Sequence, residues 1–173
     1  GLIGLGTVGQ GVLQTLKKNS SLITRRTSLN IEIKKVCDIN RAKSKIAKTF
    51  SLPFTTDPYQ IINDPEIDIV IELIGGIEPA GTFIKDSLKN KKSVVTANKA
   101  LLAKNGKAIF KLAAKEGTSV GFEASVCGAI PIIKSVSEGL IGCEVDEIFG
   151  ILNGTANYIL YKMEKENISF QKA

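Results

Sequence analysis

Apolar and polar positions follow two distinct patterns along the first two-thirds of the chain. Short apolar runs indicate buried strands, and the segments between them carry apolar residues at helical spacing. Strands are predicted at residues 2–3, 31–37, 68–74, 93–97 and 118–122. Helices are predicted from Val8 onward, at 41–50, after Asp57-Pro58, at 79–90 and at 106–116. This alternation predicts an α/β fold with a doubly wound parallel sheet.

The pattern changes after Glu123, which divides the chain into predicted domains at residues 1–123 and 124–173. The second domain is predicted to contain, in order, a turn at 125–128, a helix at 130–140, a strand at 144–152, a turn at 153–155 and a helix at 156–165. Thr155 is the predicted N-cap of the last helix, and Ser169 that of a further helix. Only three residues precede Gly4, whereas a strand usually has about five or six. We therefore expect the chain to be part of a longer protein.

A glycine-rich segment follows the first predicted strand and opens the first predicted helix. The G-x-G-x-x-G run comprises Gly4, Leu5, Gly6, Thr7, Val8 and Gly9. In a Rossmann-type βαβ unit the first glycine permits the turn, the second admits a pyrophosphate, and the third allows close packing of helix on strand. The N-terminus of the helix favours the negative charge of that pyrophosphate. The segment therefore predicts a dinucleotide site.

The charged residues after the second predicted strand bear on the choice of dinucleotide. Asp38 lies 29 residues after Gly9 rather than the usual ~20, and the polar insert Ser20–Asn30 accounts for the excess. A carboxylate at this position hydrogen-bonds a ribose hydroxyl and favours NAD. Arg41 and Lys43 would instead bind a 2′-phosphate and favour NADP. Solvated charges at the start of a helix are a third interpretation, and the sequence leaves all three open.

Two more strand ends carry candidate site residues. Gly75-Gly76 follows the strand at 68–74, and glycines there permit a flat cofactor ring to approach the backbone. The segment Thr96–Lys99 follows the next strand. Because ligands of doubly wound folds bind outside the carboxyl ends of the strands, both segments are candidates. An ordinary turn and an ordinary surface lysine are the competing interpretations.

The amino-acid composition limits the catalytic mechanisms, the compartment and the classes of partner that are expected for this chain. The 173 residues contain no histidine, which excludes Ser-His-Asp and Cys-His catalysis from this part of the protein. Three cysteines (Cys37, Cys127 and Cys143) without a C-x-x-C spacing favour a reducing, cytoplasmic compartment. The net charge of +6 comes from lysines scattered over predicted helices, with few aromatics beside them, so neither a nucleic-acid nor a membrane partner is expected.

Several segments together resemble the homoserine dehydrogenase family. They occur in the family's order and cover essentially the whole chain, and the last three are the most specific. The segments are 1–11, 70–76, 94–102, 123–131 and 150–160. The resemblance implies a Rossmann domain followed by the beginning of an α+β catalytic and dimerisation domain.

The resemblance also implies roles for individual residues. Residues Gly4 to Gly9 would hold the pyrophosphate, Gly75 and Ala97 would contact the cofactor through the backbone, and Lys99 would assist at the nicotinamide end. Gly154 and Thr155 would offer backbone N–H groups to the substrate. A sodium ion would be bound by Glu123 and by the carbonyls of Val126, Gly128 and Ile130, oxygen donors that suit a hard cation.

The implied activity is the NAD(P)-dependent interconversion of L-homoserine and L-aspartate 4-semialdehyde, in the biosynthesis of threonine, methionine and isoleucine. The family's principal catalytic lysine and aspartates lie on elements beyond the Asn153–Thr155 turn, and no counterpart precedes Ala173. The isolated chain is therefore expected not to turn over, and the full-length protein to form a homodimer. Two alternatives stay open: another Rossmann amino-acid or semialdehyde oxidoreductase, and a non-catalytic dinucleotide-sensing module.

Overall fold

The structure, a computed structural model, describes residues 1–151 and 153–173. Backbone contacts divide the chain into two compact units, Gly1–Ile130 and Pro131–Ala173, and each is described by itself. The predicted boundary at 123/124 stays a prediction. Among the described residues, no helix has both the length and the apolar character needed to cross a membrane.

The first unit is built on a six-stranded sheet in which every neighbouring pair of strands is parallel. The strands are β1 (Leu2–Ile3), β2 (Val36–Cys37), β3 (Phe54–Thr55), β4 (Ile69–Glu72), β5 (Ser93–Thr96) and β6 (Val120–Gly121). Their spatial order is β3-β2-β1-β4-β5-β6. The order reverses between β1 and β4, where Ile3 lies opposite Glu72. This is the Rossmann arrangement, and it confirms the predicted fold class.

Helices pack on this sheet and enclose its core. They are α1 (Thr7–Thr27), α2 (Ser44–Thr49), α3 (Tyr59–Ile62), α4 (Ala80–Lys89) and α5 (Lys99–Glu116), with 3₁₀ turns at Arg41–Lys43 and Glu123–Ser125. The core falls into three apolar clusters. Leu2 and Leu13 belong to the first, Ile61 and Val70 to the second, and Ile84 and Leu101 to the third. Burial of these side chains holds the strand ends in fixed positions.

Helix α1 explains the long spacing between Gly9 and Asp38. The helix continues to Thr27 and ends at Ser28, which adopts the left-handed conformation (φ 59°, ψ 16°) and donates its N–H to the Thr24 carbonyl. Most of the polar Ser20–Asn30 segment is therefore extra helix. These extra helical residues account for much of the distance in sequence between Gly9 and Asp38.

Two predicted elements of this unit have different bounds in the structure, and one observed strand was not predicted. The strand predicted at 31–37 is confined to Val36–Cys37, because its neighbours β1 and β3 offer a ladder only two residues long. Strand β3 was not predicted, since two residues are too short to show a period. The helix predicted at 106–116 begins at Lys99, because the Asn98 side chain caps it by accepting from the Leu101 N–H.

The second unit contains a short helix α6 (Ile132–Lys134), a π-helical turn at Ser135–Gly139, and a longer helix α7 (Gly154–Glu166). The strand predicted at 144–152 is wrong for residues 144–151, which pair with no other strand, and Leu152 lies outside the described residues. Extended backbone becomes a strand only beside a partner. At Ser169 a single turn forms in place of the predicted helix, closed by the N–H groups of Lys172 and Ala173.

Candidate dinucleotide-binding site

A cleft of about 530 Å³ opens at the carboxyl ends of β1, β2 and β4. Gly4, Gly6, Asp38 and Gly75, four of the predicted cofactor residues, lie on its wall. The remaining wall is largely apolar and includes Ile39, Pro58, Ile74, Pro79 and Phe83. The cleft coincides with the point where the strand order reverses, which is where this fold class binds dinucleotides.

Two glycines of this loop are packed so closely that neither position has room for a side chain. A Cβ at Gly4, where φ is +104°, would lie 2.7 Å from the backbone carbon and oxygen of Leu73. A Cβ at Gly9 would lie 2.1 Å from the Gly4 carbonyl oxygen. The first glycine therefore permits the turn and the third brings α1 onto β1.

Gly6 differs from these two glycines because the space beside it is open. Apart from Gly6 and its two chain neighbours, no atom lies within 4 Å of the position that its Cβ would occupy. Gly6 is also the N-cap of α1, and it has no side chain to satisfy the first N–H groups of the helix. These N–H groups, in the first turn formed by Thr7, Val8 and Gly9, lack intrahelical partners and can bind an anion at the mouth of the cleft.

Asp38 binds the glycine loop to the end of β2. Its Oδ2 accepts from the Leu5 N–H at 2.8 Å and from the Lys43 ammonium at 2.9 Å, while Oδ1 accepts from the Asn40 N–H at 2.9 Å. Burial alone would raise the pKa of this carboxyl, but the bonds from Asn40, Lys43 and Leu5 outweigh it and hold the pKa below its ordinary value of 3.8. Three of about four acceptor positions are used, which leaves one for a ligand hydroxyl.

The two basic residues near Asp38 occupy different surroundings. Lys43 is half-buried, lies on the wall of the cleft and forms an ion pair with Asp38. Arg41 is exposed and does not belong to the wall of the cleft. The sequence named both residues, and the structure brings only Lys43 into direct contact with the carboxylate.

Glu72 organises the other side of the cleft. It is the last residue of β4 and is fully buried. Its Oε1 accepts from the N–H groups of Ile74 (2.8 Å) and Gly75 (3.3 Å), and its Oε2 accepts from the Thr96 hydroxyl at 2.7 Å. The buried carboxylate therefore joins the loop after β4 to the end of β5.

Asn98 closes this network. Its backbone N–H donates to the Thr96 hydroxyl oxygen at 3.0 Å, and its side-chain Nδ2 donates to the Gly76 carbonyl at 2.6 Å. Gly75 and Gly76 both have φ of +74°, a conformation that glycine adopts readily. The Gly75-Gly76 loop is thus held from the Glu72 side and from the Asn98 side.

Lys99 and Ala97 lie beside this network rather than on the wall of the cleft. Lys99 is exposed and is the first residue of α5, and its N–H donates to the Ala97 carbonyl at 3.1 Å. Cys37 does lie on the wall, but burial raises the pKa of its thiol to about 11. That thiol is therefore protonated at neutral pH and is a poor nucleophile.

The residues predicted to bind sodium follow the last strand of the first unit. Glu123 opens a 3₁₀ turn, and the chain then passes through Cys127 (φ 49°) and Ala129 (φ 65°), which surround Gly128. Among the described residues, no three histidine, cysteine or acidic side chains gather as a metal cluster. A cation here would thus depend on carbonyl oxygens together with the single Glu123 carboxylate.

The predicted substrate residues belong to the second unit. Gly154 and Thr155 are the first two residues of α7, and the N-cap is Asn153, whose side chain accepts from the Ala156 N–H at 2.9 Å. The assignment of Thr155 as N-cap is therefore wrong. Asparagine is among the strongest N-caps, and it stands one residue before the helix begins.

Sequence reasoning missed Glu72, Thr96 and Asn98 as a connected group. The available signal was an acidic residue in the otherwise apolar run 69–74. A carboxylate in a buried strand needs hydrogen-bond donors, so its presence indicates a polar network. The N–H groups of Ile74 and Gly75 are local donors, but the third donor, the Thr96 hydroxyl, depended on the pairing of β4 with β5 and was not visible in the sequence.

Comparison with known protein families covers both units. The family model for "Homoserine dehydrogenase, NAD binding domain" matches residues 4–123, and the model for "Homoserine dehydrogenase" matches residues 131–173. The chain is 40% identical to a homoserine dehydrogenase of Bacillus subtilis over 99% of its own length, and 43% identical to one of Helicobacter pylori over its whole length. It spans 40% of the length of each of these relatives.

A solved structure supports the same assignment. A homoserine dehydrogenase from Thiobacillus denitrificans superposes with a TM-score of 0.91 at 46% sequence identity. The match covers 99% of this chain and 39% of that one.

Proposed function

Because the chain belongs to the homoserine dehydrogenase family, we propose that its protein interconverts L-homoserine and L-aspartate 4-semialdehyde with NAD(P). The observation that carries this proposal is the cleft at the reversal of strand order, walled by the glycine loop and Gly75. The reaction would belong to the biosynthesis of threonine, methionine and isoleucine. Three free cysteines are consistent with a cytoplasmic enzyme.

The first unit would hold the dinucleotide, which supplies or accepts the hydride when bound. The first-turn N–H groups of α1 would bind its pyrophosphate, with Gly6 leaving room for close approach. The adenosine half would lie toward Asp38, and the nicotinamide half toward Gly75 and Ala97, because the two halves of the sheet bind the two nucleotides. Lys99 would assist at that end.

We propose that the cleft accepts NADP as well as NAD. Lys43 neutralises Asp38 at 2.9 Å, so the carboxylate no longer repels a 2′-phosphate, and the ammonium offers that phosphate a cation within the cleft. Arg41, exposed two residues earlier, would provide a second positive charge. Asp38 keeps one free acceptor position for a ribose hydroxyl, which leaves NAD acceptable.

Sodium and substrate would involve the later residues. The proposed cation site consists of the Glu123 carboxylate and the carbonyls of Val126, Gly128 and Ile130, an all-oxygen set that fits a hard cation. The N–H groups of Gly154 and Thr155, at the start of the thirteen-residue helix α7, would bind the substrate. The partners proposed are this small-molecule substrate and, for the full-length protein, a second copy of itself.

The deciding experiment measures nicotinamide reduction by the full-length product of the reading frame, with L-homoserine and either NAD⁺ or NADP⁺. Homoserine-dependent turnover supports the proposal. The ratio of the rates with NAD⁺ and NADP⁺ then shows whether the Asp38 carboxylate, which favours NAD, or the Lys43 ammonium, which favours NADP, has the larger effect. An intact, folded protein that binds dinucleotide without turnover would instead indicate a sensing module. The 173-residue chain itself is expected to bind dinucleotide weakly and not to turn over.

A further inference from the structure

Glu72 is an acidic residue that is buried inside the first unit without a basic partner among the described residues. It lies at the end of β4, and its side chain is fully buried. Both of its oxygens are nevertheless occupied, by two backbone N–H groups and one hydroxyl. A buried carboxylate needs hydrogen-bond donors for both of its oxygens, and two of the three donors here are N–H groups of the following loop. The bonds that satisfy the carboxylate therefore also hold that loop.

The loop that Glu72 holds is part of the cleft. The N–H groups come from Ile74 and Gly75, which both lie on its wall. The strand register also places Glu72 opposite Ile3, the residue before the glycine loop. The carboxylate therefore fixes the loop after β4 directly beside the loop after β1.

The Thr96 hydroxyl carries this constraint across to α5. It donates to Glu72 at 2.7 Å and accepts from the Asn98 N–H at 3.0 Å. Asn98 in turn holds the Gly76 carbonyl and caps α5 through the Leu101 N–H. Glu72, Thr96 and Asn98 thus form a continuous relay that begins and ends on the Gly75-Gly76 loop.

We propose that Glu72 is a positioning residue that, through Thr96 and Asn98, fixes the Gly75-Gly76 loop in the conformation that receives the nicotinamide half of the dinucleotide. This inference rests on the proposed function. Preorganisation of this kind raises affinity because the loop does not have to be ordered on binding. It also fixes the angle at which the reacting ring is presented.

The isosteric variant Glu72→Gln tests the proposal because an amide cannot reproduce all three bonds. If the amide oxygen faces the N–H groups of Ile74 and Gly75, its NH₂ group faces Thr96, whose hydroxyl loses its acceptor. If the amide is reversed, two donors oppose each other at the loop. The size of the side chain is retained and one side of the relay is broken.

Dinucleotide affinity is measured by NADH and NADPH fluorescence titration of the 173-residue chain, at a temperature where circular dichroism shows every variant folded. Glu72→Gln is expected to raise the Kd for both about tenfold. In the full-length protein it is expected to lower kcat and to raise KM for the dinucleotide, with KM for homoserine unchanged. Kd, kcat and KM within twofold of the wild type would overturn the proposal.

Two comparisons keep the result interpretable. Lys92→Met removes a buried polar side chain at the opposite end of β5, so it is expected to lower the melting temperature with dinucleotide affinity within twofold of wild type. Thr96→Ser retains the hydroxyl and is expected to recover most of the affinity that Thr96→Val loses. If Glu72→Gln does not fold, equal affinity of these two Thr96 variants overturns the proposal.

The wild type separates this inference from the function on which it rests. A wild-type chain that binds neither NADH nor NADPH, and a full-length protein without homoserine-dependent turnover, would overturn the proposed function and the inference together. Wild-type binding and turnover that Glu72→Gln leaves unaltered would overturn the positioning role alone.

Discussion

The Asp38 carboxylate, at the carboxyl end of β2, accepts a hydrogen bond of 2.8 Å from the backbone N–H of Leu5 in the glycine loop. The two residues are 33 positions apart, and the bond joins the loop after β1 to the loop after β2. Asp38 therefore anchors the loop proposed to hold the pyrophosphate, in addition to any contact with a ribose. A single substitution here is expected to affect both stability and binding.

Replacement of Asp38 by asparagine is expected to lower the free energy of unfolding at neutral pH by more than about 1 kcal/mol, since one amide oxygen replaces two acceptors. Because the folded pKa lies below the ordinary value of 3.8, the carboxylate stabilises the fold above that value, and this contribution is lost as pH falls through the folded pKa. Urea unfolding of both proteins between pH 7 and pH 3 measures the difference. A difference in the free energy of unfolding between the two proteins that grows as the pH falls would contradict the stabilising role of the Asp38 carboxylate.

Lys43→Ala is expected to weaken NADPH binding about tenfold and to change NADH binding little, because it removes a cation from the cleft and leaves the charge of Asp38 uncompensated. Fluorescence titration of the chain with each dinucleotide measures the ratio. Lys45→Ala is the matched control, since Lys45 is exposed on α2 and does not belong to the wall of the cleft. An equal loss of affinity for NADH and NADPH would rule out a contact between Lys43 and the 2′-phosphate.

Two glycines of α1 are expected to respond in opposite ways to alanine. A Cβ at Gly9 would lie 2.1 Å from the Gly4 carbonyl oxygen, so Gly9→Ala must separate α1 from β1 and is expected to cost more than about 3 kcal/mol. Outside the neighbouring backbone of α1, no atom lies within 4 Å of the position that a Cβ at Gly11 would occupy. Gly11→Ala is therefore expected to stabilise the helix by about 0.5–1 kcal/mol. Chemical denaturation measures the free energy of unfolding of both variants. Similar changes in the two would contradict the close contact of Gly9 with the Gly4 carbonyl.

Lys92 is expected to stabilise the amino end of the sheet. It is buried, and its ammonium donates to the carbonyls of Asp64 (2.5 Å) and Ile67 (2.6 Å). Lys92→Met leaves these carbonyls without the donor and is expected to cost about 2 kcal/mol. Lys89→Met, in which an exposed ion pair with Asp86 is lost, is the control and is expected to change stability little. A comparable loss in both variants would show that burial of Lys92 is unimportant.

The dinucleotide site was predictable because its parts are local in sequence. The glycine run, its strand and its helix are contiguous, and the spacing of three glycines reflects sterics within one turn. The strand ends that carry Gly75 and Asp38 followed from the rule that ligands bind at the carboxyl ends of parallel strands. By contrast, the strand predicted at 144–152 failed for residues 144–151, because local propensity cannot supply a strand partner.

The sequence by itself determined the α/β class, the family and the segments from which the dinucleotide cleft is built, since each is encoded in neighbouring residues. Only the tertiary structure decided how Asp38 and Glu72 are used. Asp38 is paired with Lys43 and Leu5, and Glu72 with Thr96 and the loop after β4. Apart from the short links within each loop, these bonds span up to 33 residues and exist only because the sheet brings β2, β1, β4 and β5 side by side.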